Sequence, residues 1–231
     1  MAPRRQPAPA LVALPRAFYE RPVLAVARDA IGKLLVHESP EGLVAGRIVE
    51  AEAYRGPEDL AAHSRGGRRT PRTEAMWGPA GHAYVFFVYG MHWHVNLVTG
   101  AVGEPHAVLL RAVEPVVGEP LLAARRGREP GDLRLTNGPG KLCRAFGIDG
   151  RHYGADLCEG PLFLAEGDRP RVARSARIGV EYAGSWAARP WRFLDPASRW
   201  VSDARARGRG DQRSGAPAPG RARTGSRQPR G

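Results

Sequence analysis

Apolar and polar positions change their period several times along the chain, and each change marks an element. Val23, Leu24, Ala27, Ala30 and Ile31 recur at helical spacing between Pro22 and Gly32, which predicts a helix begun by proline and ended by glycine. A short strand, Leu34 to His37, and a long one, Leu43 to Tyr54, follow. Gly78-Pro-Ala-Gly81 is turn chemistry. Beyond it Tyr84 to Tyr89, Gly90-Met91 and His92 to Val98 read as strand, tight turn and strand. Ala107 to Val113 continues the β character, Pro120 to Arg126 and Lys141 to Phe146 show helical spacing, and Arg171 to Val180 reads as a further strand. No internal repeat is visible. Hairpin-connected strands broken by short helices predict the α+β class: a single compact mixed domain with a mainly antiparallel curved sheet, a protruding β-hairpin and short surrounding helices.

Within the long strand, RIVEAEAY sets Val49, Ala51 and Ala53 on one face and Ile48, Glu50, Glu52 and Tyr54 on the other. Two carboxylates and a phenol thus share a face between apolar neighbours. Residues two apart on a strand lie about 6.7 Å apart, enough for an acid and a base around a water. The competing reading is a pair of carboxylates balanced by nearby arginines.

Composition changes the picture at the two ends. Residues 1–13 are Pro-rich, and 204–231 are rich in Arg, Gly, Pro and Ser, too polar to bury a core. The predicted organisation is a flexible N-terminal segment (1–13), a folded domain (14–203) and a disordered basic tail (204–231). The chain carries a formal net charge of +12, of which eight arginines and one aspartate in 204–231 supply +7, leaving the folded part basic at +5. Such a balance favours a polyanionic partner. Lys33 and Lys141 are the only lysines, an arginine bias that codon usage explains as readily as phosphate recognition. Two cysteines, Cys143 and Cys158, allow at most one disulfide and no closed zinc site. The N-terminal apolar run is too short and Pro-broken for a signal peptide or anchor, so a soluble intracellular protein is expected.

Downstream of the carboxylates, His63 adjoins a loop with Gly66-Gly67 and Arg65, Arg68, Arg69 and Arg72. Its backbone amides and charge suit a phosphate, and a solvated basic loop is the alternative. In the hairpin, Tyr84 and Phe87 read as core, whereas Tyr89 beside the turn projects at the rim, where an aromatic wedge can enter a base stack. His92 and His94 share a strand face but find no Cys or carboxylate at ligand spacing. No dinucleotide, phosphate-loop, serine-hydrolase or zincin motif is present.

Taken together, RIVEAEAYRGPEDLAAHSRGGRRTPR, YVFFVYGMHWHVNLV, AVLLRAVEP and NGPGKLCRAFGI, four motifs in order over about Leu14 to Ser202, resemble the alkyladenine (3-methyladenine) DNA glycosylase family. The resemblance implies a DNA repair glycosylase that flips alkylated or deaminated purines out of duplex DNA and hydrolyses the N-glycosidic bond, leaving an abasic site. It implies no metal or organic cofactor, a monomer acting on double-stranded DNA, and a cytoplasmic, nucleoid-associated location in a bacterium. Glu52 falls on the family's general base and Arg111 on the arginine that helps hold the attacking water. Tyr54, His63 and Phe86 fall on the positions that sandwich the flipped base. At the third of these, Phe86 stands where tyrosine is usual, so the stacking face stays and a hydroxyl is lost. Asn96 falls on the residue that crowds the exocyclic amine of guanine, and Tyr89 on the one that fills the vacated stack. Arg65, Arg68, Met76 and Leu109 are expected DNA contacts. Glu50 matches no catalytic position. Two other readings remain: a non-catalytic nucleic-acid-binding module on the same fold, and an inverting sugar hydrolase using Glu50 with Glu52.

Overall fold

A 14-residue strand organises the fold. The computed structural model describes residues 11–202, and within it the strands are β1 (Leu34–Ser39), β2 (Gly42–Arg55), β3 (Ala83–Val88), β4 (His92–Thr99), β5 (His106–Val117), β6 (Leu162–Ala165), β7 (Ala173–Ser175) and β8 (Arg192–Leu194). The helices are α1 (Val23–Ala30), α2 (Glu119–Arg126) and α3 (Pro139–Phe146), with short 3-10 turns between elements. All eight strands join one curved sheet of order β3-β4-β5-β2-β1-β6, with β8 pairing both β2 and β7. Every pairing among them is antiparallel. The result is the single mixed α+β domain that the sequence predicts.

Strand β2 is long because it serves three partners. Its first half pairs with β1 through a tight turn, its length pairs with β5, and Glu50 to Glu52 pair with β8. The change of neighbour from β1 to β8 coincides with register shifts around Glu50. Simple alternation fails there. Ile48 packs with Ala51 and Ala53 in the main core, whereas Val49 joins Ala112, Ala123, Leu135 and Trp200 on the other side. The expected face holding Ile48 with the two glutamates therefore loses Ile48.

The main core lies between the sheet and the helices. Val23, Val26 and Ala27 of α1, Leu122 of α2 and Leu142, Cys143 and Phe146 of α3 pack on Leu35, Ile48, Leu97, Val108 and Leu110. Helix α1 stops at Gly32 because φ is +93° there and a Cβ would sit 2.2 Å from the Asp168 carbonyl oxygen.

Three boundaries differ from expectation. Only Ala173–Ser175 of the predicted strand over 171–180 pairs, and beyond it Arg177 turns inward to an ion pair with Asp59. Tyr89 is not strand but turn, with φ of +54° beside Gly90 at +65°. Ala13 already bridges Ala165, so the chain joins the sheet one residue before the expected start of the domain. The basic tail at 204–231 lies outside the described residues. Cys143 and Cys158 are both free thiols.

Candidate active site

Register across three strands builds the site. Tyr84 of β3 faces Asn96 of β4, Asn96 faces Leu109 of β5, and Leu109 faces Glu52 of β2, so these side chains form one row across the sheet. With neighbouring strands about 4.8 Å apart, Asn96 and Glu52 stand roughly 10 Å from each other with Leu109 as the floor between them. A cavity of about 170 Å³ opens over this row. That exceeds the ~150 Å³ that accepts a benzene ring, so a planar aromatic group fits.

The walls are aromatic. Tyr54, His63, Tyr84, Phe86, Tyr89 and Asn96 all line the cavity. His63 meets Phe86 edge to face at 4.6 Å, and its Nδ1 is 2.8 Å from the Tyr84 hydroxyl. Burial, with Arg72 and Arg68 nearby, pushes the His63 imidazole down to about 4, so it is neutral near pH 7. Asn96 donates its Nδ2 to the Tyr84 carbonyl at 2.9 Å, which fixes the amide against the wall.

Glu52 is fully buried just behind this lining. Its Oε1 accepts from the Ile178 backbone N–H at 2.8 Å, and its Oε2 accepts from the Tyr54 hydroxyl at 2.9 Å and Arg111 Nη1 at 3.2 Å. Those three partners all line the cavity, so Glu52 lies directly behind its wall. Burial, then the neighbouring Glu52 charge, raises the Tyr54 phenol well above its ordinary value and keeps it a donor. Arg111 also lines a second cavity of about 430 Å³, which Lys141, Asn137, His92 and Ser202 border. The two cavities share Arg111, His94, Tyr89 and Ile178, so they form one continuous groove.

Glu50 is equally buried and is held by four hydrogen bonds. Its Oε1 accepts from Arg111 Nε (2.8 Å), Arg192 Nε (2.6 Å) and Ser202 Oγ (2.8 Å), and its Oε2 accepts from Ser202 N (2.6 Å). Burial pushes this carboxyl up, but Arg111, Arg192 and the Ser202 bonds outweigh it, holding it below the usual carboxylate range. Like Glu52, Glu50 lines neither cavity, but of its partners only Arg111 lines the first, whereas all three partners of Glu52 do. An acid and base working as a pair need both carboxylates at the reacting bond, and Glu50 stands one residue further back.

The other expected contacts divide. Arg65 and Arg68 are exposed and border the rim with His63 and Tyr182. Gly66 and Gly67 hold positive φ with nothing within 4 Å of a Cβ, so their backbone is open to solvent. Arg69 pairs with Glu74, and Arg72 lies 5.1 Å over the Phe86 ring. Met76 and Leu109, also expected as DNA contacts, are buried in the cavity lining and not on the outer surface. Met76 is 1% exposed and packs behind Tyr84 and Phe86, and Leu109 is 5% exposed in the floor, so both shape the cavity from within. His92 and His94 line the groove, and among the described residues no group of three or more His, Cys, Asp or Glu is placed to share a metal.

Tyr89 is 74% exposed at the hairpin tip. A bulky residue at positive φ is strained where Asn or Gly is preferred, and its phenol meets solvent instead of a core that would hold it there.

Several residues were invisible to sequence reasoning. Arg177 makes two bonds to Asp59, at 2.5 and 2.9 Å, with both side chains fully buried. It also donates to the Ala53 carbonyl and lies 4.8 Å over the Tyr54 ring, which places the next residue, Ile178, against Glu52. Arg192 and Ser202 close the back of the carboxylate cluster. Asp59 stood within the quoted GPED run; for Arg177, Arg192 and Ser202 no local signal existed.

The chain can be set beside known proteins on this geometry. The profile of the methylpurine-DNA glycosylase family matches residues 17–199. A protein of Desulfitobacterium hafniense (strain Y51) is 49% identical over 198 residues, covering 82% of this chain and 98% of the relative. One of Methanocella arvoryzae is 48% identical over 191 residues (82% and 95%), and one of Myxococcus xanthus (strain DK1622) is 47% identical over 211 residues (90% and 96%). All three carry the inferred name 3-methyladenine DNA glycosylase. From the matched span and these identities, the chain belongs to the methylpurine-DNA glycosylase family.

Proposed function

We propose that this DNA repair glycosylase flips an alkylated or deaminated purine into the cavity over Leu109 and hydrolyses its N-glycosidic bond with water activated by Glu52. The observation that carries the reading is the row Asn96–Leu109–Glu52, which sets a specificity group and a buried carboxylate on opposite sides of an aromatic slot. A base stacked between Tyr54 on one side and His63 and Phe86 on the other would place its sugar bond toward Glu52 and Arg111. An alkylated, cationic purine gains ~0.5 to 2 kcal/mol per aromatic face that a neutral base does not. Asn96 would crowd the exocyclic amine of guanine.

Opening the longest of the Glu52 bonds, that to Arg111, admits a water held by both residues. As the glycosidic bond loosens, Glu52 stabilises the positive charge on the sugar and takes the water's proton. The products are the free base and an abasic site. Lys33 lines neither cavity and Lys141 only the second, so among the described residues no lysine lines the base cavity, and the enzyme acts as a monofunctional glycosylase without a Schiff base. Borohydride should therefore trap no protein on DNA during turnover; a trapped adduct would contradict this step. The protein acts as a monomer on double-stranded DNA in the cytoplasm, and no described helix is long and apolar enough to cross a membrane.

Extruding a nucleotide costs a few kcal/mol, which Tyr89 offsets by filling the vacated stack. Tyr89→Asn places a residue that tolerates positive φ, so thermal stability should hold or rise. Excision from a well-paired duplex should fall more than excision opposite a mismatch. Equal losses in both contexts with a lowered melting temperature would assign Tyr89 to packing.

The tail at 204–231 adds sequence-independent affinity. Each phosphate contact contributes roughly 0.9 to the log–log salt slope, so its deletion should flatten the salt dependence of binding. An unchanged slope would show that the tail stays off DNA.

A further inference from the structure

We infer that Glu50 is a positioning residue: by accepting the Nε–H of both Arg111 and Arg192, it holds the Arg111 guanidinium between Glu52 and the cavity and limits how much of its charge Glu52 receives. This rests on the reading of Glu52 as the base, and it assigns Glu50 a part in the reaction instead of a part in stability alone.

Geometry carries the argument. Arg111 gives its Nε to Glu50 at 2.8 Å and only one terminal nitrogen to Glu52, at 3.2 Å. A guanidinium left to itself beside a carboxylate turns to present two parallel N–H groups. Glu50 takes the side-on fork away by occupying Nε, and Nη2 goes to the Ser202 hydroxyl at 3.5 Å, so Glu52 meets Nη1 alone. The plane of Arg111 is then fixed, and Glu52 keeps a lone pair for water. Glu50 can do so because four hydrogen bonds hold its two oxygens in place. Arg192, which faces Glu52 in the β2–β8 register, gives it Nε, and Ser202 gives it both backbone N–H and hydroxyl. Arg192 is anchored in turn by the Ser202 carbonyl and the Ser175 hydroxyl. The register irregularity of β2 at Glu50 is what lets one strand direct two carboxylates at the same arginine.

Charge makes the inference testable with a sign. The charged and titratable groups around Glu52 are Glu50 and Tyr54 from β2, Arg111 from β5, Arg192 from β8 and Arg177 from the segment before Ile178. Glu50→Gln removes a negative charge, so the positive charge of Arg111 and Arg192 acts on the site uncompensated. Arg192→Gln removes a positive charge and has the opposite effect.

Single-turnover excision should be measured against pH on a duplex carrying 7-methylguanine, whose N7 charge is fixed across the acid range. With Glu50→Gln, the plateau rate should fall about 10- to 100-fold through misdirection of Arg111, and the acid limb should move to lower pH by about half a unit or more. With Arg192→Gln, the limb should move to higher pH. Limbs that stay at the wild-type position, or that move in the same direction, overturn the inference. Should Glu50→Gln fail to fold, the direction of the Arg192→Gln limb decides alone. Glu52→Gln separates the two levels: if it retains wild-type release the reading of the base has failed, whereas its loss of release with unmoved limbs in the other variants defeats only the role of Glu50.

Discussion

Glu52→Gln is expected to leave lesion-containing DNA bound while base release falls by at least about 100-fold. Glutamine keeps the volume, and its one carbonyl oxygen can still accept from Tyr54 and Arg111, so the cavity should keep its shape with only the Ile178 bond lost. What disappears is the negative charge that meets the developing positive sugar and the lone pair that takes water's proton. Binding belongs to the aromatic walls, the rim arginines and Tyr89, of which the substitution touches only Tyr54, whose hydroxyl can still donate to the amide oxygen. Fluorescence anisotropy on a lesion duplex beside single-turnover release separates the two quantities. A parallel loss of binding and release would mean that Glu52 supports the cavity and does not act on the bond.

Asp59→Ala should lower unfolding stability by about 3 to 5 kcal/mol, because it strands the fully buried Arg177 guanidinium without its counterion. Arg177 is bound by both Asp59 oxygens and by the Ala53 and Trp186 carbonyls, and the aspartate also accepts from the Arg55 and Ala61 backbone N–H groups. The lost aspartate therefore loosens the loop after β2 and the segment that presents Ile178. Combining Asp59→Ala with Arg177→Met should recover part of the loss, since no buried charge then lacks a partner. Denaturant unfolding of the single and double variants provides the check. A loss below about 1 kcal/mol for Asp59→Ala would show that water reaches Arg177 and that the pair is not sealed.

How far the sequence foretold this arrangement depends on how local each signal is. Helices α1, α2 and α3 and the β3–β4 hairpin announced themselves because period, proline and glycine all act within a few residues. Strand β2 was equally plain, but the phase change at Ile48 was not. It arises from the exchange of β1 for β8 as neighbour, and β8 lies some 140 residues further on in the chain, as the Arg192–Glu50 contact shows. The inward turn of Arg177 had the same cause. A polar residue in a β-like stretch reads as solvent-facing until its partner, Asp59, is known.

Candidate residues followed the same rule. Glu52, Tyr54, His63, Phe86, Asn96 and Arg111 lie in motifs; the last five line one cavity, and Glu52 is bonded behind Tyr54 and Arg111. Met76 and Leu109 were assigned to the DNA surface, whereas burial by Tyr84, Phe86 and the sheet itself turns them into wall and floor. Glu50 could not be separated from Glu52 by spacing. Its four hydrogen bonds, three of them to residues beyond 190, make the distinction.

The most direct test of the central claim is base release by the wild-type protein from duplexes carrying 3-methyladenine, 7-methylguanine, hypoxanthine or ethenoadenine, with an undamaged duplex as control. Strands are resolved before and after alkali treatment. The account predicts free base and alkali-labile abasic sites from at least one lesion, intact strands before alkali and no release from the control. Tight binding to all of these duplexes with no base released from any would contradict it and leave a nucleic-acid-binding module without catalysis.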